Sequence, residues 1–328
     1  MSSGAPLPRI ILLCGFLGSG KTTLLLDWLA RNGGAGTGII VNDVGEIDID
    51  GATIASTTED IQMIRLANGC VCCSLGSSLP VTIASLLDRH EQVSGAPLDR
   101  IVIETSGLSR PAPIVRQLQG LPVPFSVSVV STYDSVNGPL SSRHFEEAAA
   151  QLSAAQIIVQ TKTDLVAEAD VAEASRTIGL LNPFARIVER RMAVSDGDVF
   201  DGVEQHARVE LMPSLSCDAS LDHGRVGVFL VELADQVERD DVLEWFDNLA
   251  GYGGPRLLRA KGIVTARDAA HPLLVQSVGT VFDHPRPIPG YVGPSAVIVI
   301  ARDMKAGELD LIKPPIAQVR RGYSVATG

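Results

Sequence analysis

The stretch GFLGSGKT, residues 15–22, has the residue types and the spacing of a phosphate-binding loop, G-x-x-x-x-G-K-[ST]. Its glycines let the backbone wrap around phosphate oxygens with the amides pointing inward, and the helix that follows adds its positive N-terminal end. Lys21 is expected to reach the β- and γ-phosphates, and the hydroxyl of Thr22 to bind Mg²⁺. The predicted nucleotide-binding residues of this stretch and of the position after it are Gly15, Gly18, Ser19, Gly20, Lys21, Thr22 and Thr23.

A second polar motif, TKTD (161–164), is similar to the guanine-reading motif N-K-x-D with its first residue changed. Asp164 would accept two hydrogen bonds from guanine, and Lys162 would lay its aliphatic stem along the ring. Thr161 stands where that motif has Asn, so one contact to the base or to the loop is altered. The segment predicts a preference for GTP, with Thr161, Lys162 and Asp164 as nucleotide-binding residues; a chance K-x-D at the end of a strand is the alternative.

Carboxylates after two other apolar runs are candidates for Mg²⁺ binding and hydrolysis. Glu104 opens ETSG (104–107), where a carboxylate can hold Mg²⁺, directly or through water, or position the attacking water. Gly107 resembles the glycine whose amide senses the γ-phosphate in nucleotide switches. The predicted catalytic residues are Lys21, Glu104 and Gly107, and the predicted Mg²⁺ ligands are Thr22, Asp43 and Glu104.

Three of the five cysteines, Cys70, Cys72 and Cys73, fall within four positions in NGCVCCSL. The spacing is too tight for a disulfide framework and tight enough for several sulfurs to meet one ion. Thiolates suit Zn²⁺ and other borderline or soft ions, and three ligands leave the open position that a transfer site requires. A redox-active pair or small buried apolar side chains are the alternatives.

These motifs follow apolar runs that are rich in β-branched residues and are separated by helical patterns. The runs cover residues 9–14, 37–43, 99–107, 124–132 and 155–164, and the helical patterns include 24–30, 79–90 and 144–153. Such alternation predicts an α/β P-loop NTPase fold, with a mostly parallel sheet covered by helices on both faces and ligands at the carboxyl ends of the strands.

The pattern changes after residue 190. Further strand candidates and a helical pattern at 239–250 predict a smaller C-terminal α/β (α+β) domain. The predicted organisation is a nucleotide-binding domain at 1–190 that carries the cysteine motif, a linker at 191–220, and a C-terminal domain at 221–328.

Composition excludes several classes of function. The net charge of −11 disfavours nucleic-acid binding, and the chain has no run of eighteen apolar residues that would span a membrane. The N-terminus lacks the basic region of a signal peptide, and an odd, clustered set of cysteines indicates a reducing compartment. We therefore expect a soluble cytoplasmic protein with no nucleic-acid or membrane partner.

The chain resembles the CobW family of P-loop GTPases, relatives of the nickel-insertion GTPases for hydrogenase and urease, over nearly its whole length. The segments that carry the resemblance are, in order, GFLGSGKTTLL, VNDVGEIDID, NGCVCCSL, IVIETSGLSRPAPI, TKTDL and LNPFARI, followed by LLRAKGIV and VQSVG in the C-terminal domain. The resemblance implies a GTP-hydrolysing metallochaperone that delivers a metal, usually zinc or cobalt and in some members iron, to a client apo-metalloprotein. It also assigns the three clustered cysteines to the family's C-x-C-C metal motif, with Glu46 as a candidate for an added oxygen ligand; from the sequence, Glu46 and Asp48 could equally be switch residues or part of a solvated acidic loop.

The working hypothesis is that GTP and Mg²⁺ order segments 42–50 and 104–108 and so assemble the cysteine site, which hydrolysis then loosens. Arg110 is a candidate for assisting hydrolysis, and class analogy suggests a nucleotide-linked homodimer. The chain departs from the family in Thr161, in the irregular STYD (131–134), and in lacking a histidine-rich loop. Cys14 and Cys217 are expected to be structural.

Three alternatives remain open from the sequence. The first is a redox-sensing or assembly GTPase whose cysteines carry no cargo. The second is a metal-storage or structural protein, which the intact phosphate loop and Glu104 disfavour. The third is a kinase-like enzyme that uses ATP, which TKTD disfavours.

Overall fold

The structure, a computed structural model, describes residues 8–41, 62–65, 78–122, 124–190, 199–200, 225–234 and 237–323. The chain divides into two compact units. The first comprises Met1–Ser141, Phe145–Ala174 and Ala185–Ala207, and the second comprises Ser142–His144, Ser175–Phe184 and Arg208–Gly328. Among the described residues, no helix combines the length and the apolar character needed to cross a lipid bilayer.

The first unit is built on a seven-stranded parallel sheet with the order β3-β2-β4-β1-β5-β6-β7. Its strands are β1 (Arg9–Gly15), β2 (Thr37–Val41), β3 (Gln62–Arg65), β4 (Arg100–Glu104), β5 (Ser126–Asp134), β6 (Ile157–Thr161) and β7 (Arg186–Glu189). From β1 the chain continues to β2, β3 and β4, which all lie on one side of β1 in the sheet. From β4 it crosses to β5, on the other side of β1. The loops next to β1 therefore leave the sheet where the strand order reverses, which is where open parallel sheets bind ligands.

Within the described part of the chain, the segments that connect these strands form six helices. They are α1 (Lys21–Asn32), α2 (Ser78–Ser94), α3 (Pro111–Leu118), α4 (Gly138–His144), α5 (Glu146–Ala154) and α6 (Glu168–Leu181). On one face of the sheet Ile11 and Leu13 pack with α1 in a common core. Ile10 and Leu12 point to the opposite face and are equally buried. Burial on both faces explains why the strands read as continuous apolar runs.

Two residues of the range predicted as a linker belong to the core of the first unit. Val199 and Phe200 are both buried. The Phe200 ring lies 5.0 Å from that of Trp28, and its carbonyl accepts a hydrogen bond from Arg100 at 3.0 Å. The rest of the 191–220 range lies outside the described residues.

The second unit contains an antiparallel sheet with the order β11-β10-β9-β13-β8-β14, and β12 pairs with β10. Its strands are β8 (Val226–Leu233), β9 (Leu257–Val264), β10 (Leu273–Val278), β11 (Val281–Phe282), β12 (Arg286–Pro287), β13 (Ala296–Arg302) and β14 (Ala317–Tyr323). Helix α7 (Arg239–Gly253) covers one face, where Trp245 and Leu249 share a core with Val297 and Val299. A short helix, α8 (Ala306–Leu309), follows β13.

The two sheets confirm the predicted fold class, and the antiparallel second sheet makes the C-terminal part α+β. Several details differ from the sequence-based expectation. Strands β3, β7 and β14 and helix α4 were not predicted, whereas the helix expected at 144–153 is present as α5, which directly follows α4 in the chain. Phe145 separates these helices because its backbone is extended, with φ −110° and ψ 122°.

Candidate functional site

The motifs predicted to bind nucleotide follow strands that end at one edge of the first sheet. Glu104, at the end of β4, is paired with Leu13 of β1. Asp134, at the end of β5, is paired with Thr161 of β6. Because the strands are parallel, the loops that follow them leave the sheet at this same edge. The phosphate loop, residues 15–22, is therefore brought together with ETSG and TKTD.

The phosphate loop is held close to β5. A Cβ atom at Gly15 would lie 2.0 Å from the Thr132 hydroxyl oxygen, and the residue has φ +145°, so only glycine fits there. The ammonium group of Lys21 donates a hydrogen bond to the Gly15 carbonyl at 3.1 Å and approaches the Phe16 carbonyl at 3.5 Å. The Lys21 charge thus lies over the loop that is predicted to cradle phosphate.

Thr22 and Glu104 form the oxygen-rich part of this site. The Thr22 hydroxyl donates to Glu104 Oε1 at 2.6 Å, and the Glu104 side chain is 3% exposed at the end of its strand. A hydroxyl beside a carboxylate is a set of hard oxygen donors that fits Mg²⁺. Asp43, the third predicted Mg²⁺ ligand, lies outside the described residues.

Thr132, which sequence reasoning did not single out, braces the phosphate loop from β5. Its hydroxyl lies 2.7 Å from the Ser19 hydroxyl and 3.3 Å from the Cys14 carbonyl. The signal in the sequence was a hydroxyl residue near the end of the strand, in the segment STYD that was noted only for its irregularity.

Thr161 makes the contact that explains its place in TKTD. Its hydroxyl, 1% exposed as part of a buried side chain, is 2.8 Å from the Ser19 carbonyl and 3.2 Å from the Tyr133 carbonyl. A hydroxyl has one proton to donate, and the shorter distance favours Ser19. The threonine therefore ties the end of β6 to the phosphate loop.

Lys162 has an unusual backbone conformation and a side chain that is held by an ion pair. It has φ 56°, in the left-handed region, and its ammonium group lies 2.8 Å from Asp134 Oδ2. Burial opposes ionisation of Asp134, but hydrogen bonds from Lys162, from the Asn137 side chain and from the backbone of Val136 and Asn137 outweigh it and lower the pKa of this carboxyl group. Asp134 is a second residue that the sequence analysis missed.

A cavity of about 700 Å³ opens beside TKTD. The predicted base-reading residues Lys162 and Asp164 line it, together with Asp27 and Arg31 of α1 and with Arg190 after β7. Arg190 and Asp27 form an ion pair. The two predicted base-reading residues thus line one cavity, whose other walls are largely charged.

Gly107 lies against the phosphate loop. A Cβ atom there would be 2.7 Å from the backbone nitrogen of Leu17 and from one of its methyl carbons. The backbone amide of Thr105 donates to the Leu13 carbonyl at 3.0 Å, which fixes the start of the same loop. The loop of residues 105–110 is thus in contact with the residues predicted to bind phosphate.

Cys70, Cys72, Cys73 and Glu46, the predicted metal ligands, lie outside the described residues. In the part of the chain that the structure describes, no group of three or more His, Cys, Asp or Glu side chains comes together as a metal site. Cys14 is buried beside the phosphate loop. Burial raises the pKa of its thiol to about 11, against smaller opposing effects of the Thr105 hydrogen bond and the Lys21 charge.

Both parts of the chain are similar to known proteins. A family model described as "CobW/HypB/UreG, nucleotide-binding domain" matches residues 9–189, and one described as "Cobalamin synthesis protein cobW C-terminal domain" matches residues 226–311. The chain is 29% identical over 286 residues to the zinc chaperone YjiA of Escherichia coli, which covers 83% of this chain and 86% of that protein. It is 27% identical over 320 residues to the zinc chaperone CobW of Sinorhizobium sp, with 83% and 85% covered.

A solved structure has the same fold. The Zn(II)-bound YjiA GTPase from E. coli superposes with a TM-score of 0.70 at 22% sequence identity, over 93% of this chain and 97% of that one. The likeness therefore extends through both units.

Proposed function

Because this chain belongs to the CobW/HypB/UreG family, we propose that it is a GTPase that binds zinc and delivers it to a client apo-metalloprotein. The observation that carries the proposal is the 2.6 Å contact between Thr22 and the buried Glu104 at the end of the phosphate loop. This pair is built to hold Mg²⁺ beside the phosphates of a nucleotide. The names of the relatives, zinc chaperones of comparable length, support the cargo.

In the proposed reaction, water attacks the γ-phosphorus of GTP. The bond between this phosphorus and the β,γ-bridging oxygen breaks, and GDP and inorganic phosphate are released. Lys21 stabilises the charge that develops on the β- and γ-phosphate oxygens. Mg²⁺, held by Thr22 and Glu104, supplies further charge stabilisation when bound. Of the two roles open to Glu104, the hydrogen bond from Thr22 favours Mg²⁺ binding over positioning of water.

The guanine preference is supported by the cavity beside TKTD. Lys162 and Asp164 both line it, and the ion pair with Asp134 holds Lys162 in place. We assign the base to this cavity, with the Asp164 carboxylate accepting hydrogen bonds from guanine and the Lys162 stem against the ring.

The proposed cargo ligands are Cys70, Cys72 and Cys73, with Glu46 as an added oxygen ligand and cobalt as the alternative metal. In the sequence the three cysteines follow β3. Its last residue, Arg65, is paired with Val41, which is in turn paired with Glu104. Two strand spacings, about 10 Å, separate Arg65 from Glu104. Strand β3, which precedes the cysteines in the sequence, therefore ends at the sheet edge where the nucleotide is proposed to bind, which supports the proposed coupling between GTP and metal.

The decisive test is a competition of the protein with a chromogenic chelator for Zn²⁺ and Co²⁺ in three states: without nucleotide, with GDP and Mg²⁺, and with a non-hydrolysable GTP analogue and Mg²⁺. We expect the GTP analogue to tighten binding at one site, and Cys72→Ala to abolish that site. Cys217→Ala, which removes a thiol outside the motif, is the matched control and should bind as the wild type does.

Equal metal affinity in all three states would refute the coupling. Reversible oxidation of the three cysteines without any metal-linked change in nucleotide affinity would favour the redox-sensing alternative. Analytical ultracentrifugation of the same samples tests the nucleotide-linked homodimer.

A further inference from the structure

Helix α5 contacts the nucleotide site at three places that the proposed chemistry does not use. Phe145, immediately before the helix, packs on Phe16 of the phosphate loop with 4.6 Å between ring centroids. Arg110, at the end of the 105–110 loop, lies 2.7 Å from Glu146 and 3.1 Å from Glu147 in the first turn of α5. One helix therefore reaches both the phosphate loop and the loop that contains Gly107.

The third contact is made by Gln151, whose side chain is 1% exposed. Its Nε2 atom donates to the Gly107 carbonyl at 3.0 Å and to the Ser109 carbonyl at 2.8 Å. Both partners are acceptors, so the Gln151 amide must present its nitrogen to them. The flipped amide, with its oxygen in that place, is excluded.

The oxygen atom of the same amide is in a less favourable environment than its nitrogen. Within the described part of the chain, the buried Oε1 atom of Gln151 has no hydrogen-bond partner. A buried acceptor left in this way costs stability. An apolar side chain of the same size would avoid that cost. What Gln151 contributes in return is its pair of hydrogen bonds to the two carbonyls of the 105–110 loop.

We propose that Gln151 is a positioning residue that holds Gly107 where its backbone meets the γ-phosphate, so that the site distinguishes GTP from GDP. This inference rests on the proposed GTPase function and deepens it. Gly107 is packed against Leu17 of the phosphate loop on one side and fixed through its carbonyl by Gln151 on the other. The peptide between Gly107 and Leu108 cannot rotate without breaking that hydrogen bond or moving α5.

The ion pairs of Arg110 strengthen this restraint and change the role expected for that residue. A guanidinium group held by two carboxylates is engaged in anchoring the end of the 105–110 loop to α5. In this arrangement Arg110 positions the loop instead of contacting the phosphates.

The test compares the affinities of wild type and Gln151→Met for a fluorescent GDP and for a fluorescent non-hydrolysable GTP analogue, both with Mg²⁺. Methionine keeps the volume and removes the donor. Because GDP has no γ-phosphate, we expect its dissociation constant to change less than twofold, whereas that of the GTP analogue rises about tenfold. A structural role alone would weaken both nucleotides equally.

A second variant, Gln151→Glu, gives a readout in pH. A buried carboxyl group has a raised pKa, and only its protonated form can donate a hydrogen bond to a carbonyl. Affinity for the GTP analogue should therefore recover in part as the pH is lowered from 8 to 6, while the affinity for GDP follows the wild type.

Gln156→Met is the matched control. The Gln156 side chain also bonds to the backbone, but its Oε1 atom accepts from the Val129 N–H of β5 at 2.6 Å instead of holding the 105–110 loop. Gln156→Met should leave the ratio of the two affinities unchanged. An unchanged ratio in both Gln151 variants would overturn the inference. Failure of the wild type to bind the GTP analogue would instead overturn the proposed function.

Discussion

At the scale of single residues, Thr161 shows how one hydroxyl group can serve where related motifs use an amide. Its hydroxyl donates a hydrogen bond to the Ser19 carbonyl and so supports the phosphate loop. This supporting role does not require contact with the base. The altered first position of TKTD is therefore compatible with guanine binding through Lys162 and Asp164.

Replacing Thr161 by valine should weaken GDP and GTP analogue binding alike, by about tenfold, because the Ser19 carbonyl loses a buried donor. Thr161→Asn should retain most of the affinity. Thr37→Val, at another buried threonine of the same sheet, is the control and should bind normally. Nucleotide titration by fluorescence measures all three, and full affinity in Thr161→Val would contradict the assigned role.

Cys14 should be inert in the native protein. Reaction with alkylating agents requires the thiolate, and burial raises the thiol pKa from 9.0 to about 11. At pH 8 we expect iodoacetamide to leave Cys14 unlabelled until the protein is unfolded, as mass spectrometry of its peptide would show. Because the folded-state pKa is the higher one, the stability that Cys14 contributes is present below pH 9 and lost as the pH rises through 11.

Native labelling of Cys14 at pH 8 would show that the β1 strand is accessible and that this thiol could take part in redox chemistry. Labelling of the other cysteines in the same sample provides an internal positive control for the reagent.

At the scale of elements, the contact between the 105–110 loop and the phosphate loop depends on the absence of a side chain at Gly107. Gly107→Ala would place a methyl group 2.7 Å from the Leu17 backbone, so the two loops must separate. We expect GTP hydrolysis to fall by at least about tenfold while GDP binding is largely retained. Phosphate release measured under single-turnover conditions tests this.

Gly179→Ala is the matched control, because a Cβ atom at that position in α6 meets nothing within 4 Å. An alanine inside a helix should raise stability by about 1 kcal/mol and leave hydrolysis unchanged. Equal hydrolysis by wild type and Gly107→Ala would exclude the close approach of the two loops from the mechanism.

The strands and motifs that are encoded locally could be predicted. The apolar runs of β1, β2, β4, β5 and β6 and the residues of the phosphate loop were found from pattern and spacing, and the family resemblance is confirmed by matches over residues 9–189 and 226–311. Strand β3 is four residues long, too short to show a period of its own.

The supporting residues could not be predicted, for a physical reason. Gln151 acts on Gly107, and Thr132 on Ser19, across separations of 44 and 113 residues. Nothing in the local sequence of a helix or strand indicates which distant carbonyl or hydroxyl group its polar side chain will meet. Asp134 was seen as an irregular strand end for the same reason, because its partner Lys162 lies in another motif.

At the scale of the whole molecule, each unit has its own core and one of the two tryptophans. Trp245 lies in the core between α7 and the antiparallel sheet, and Trp28 lies in the core between α1 and the parallel sheet. Destabilisation of one core should therefore have a different consequence from destabilisation of the other.

Trp245→Ala should reduce the free energy of unfolding of the second unit by about 3–5 kcal/mol and leave GDP affinity unchanged at temperatures where the protein stays folded. Trp28→Ala should cost a similar amount and also weaken GDP binding, because α1 begins at Lys21 of the phosphate loop. Urea unfolding and nucleotide titration of both variants distinguish these outcomes. Loss of GDP affinity in Trp245→Ala would show that the cores are energetically coupled.

The pairing of β1 has a consequence for the protein during its synthesis. Arg9 of β1 is paired with Arg100 and with Ser126, and the phosphate loop is tied to Thr161. The strands that hold the phosphate loop are therefore complete only after translation has passed β6. Synthesis to that point takes about 10–30 s at common elongation rates. The thiols of Cys70, Cys72 and Cys73 leave the ribosome well before that point, so the nascent chain exposes the proposed metal ligands before the proposed nucleotide site is complete.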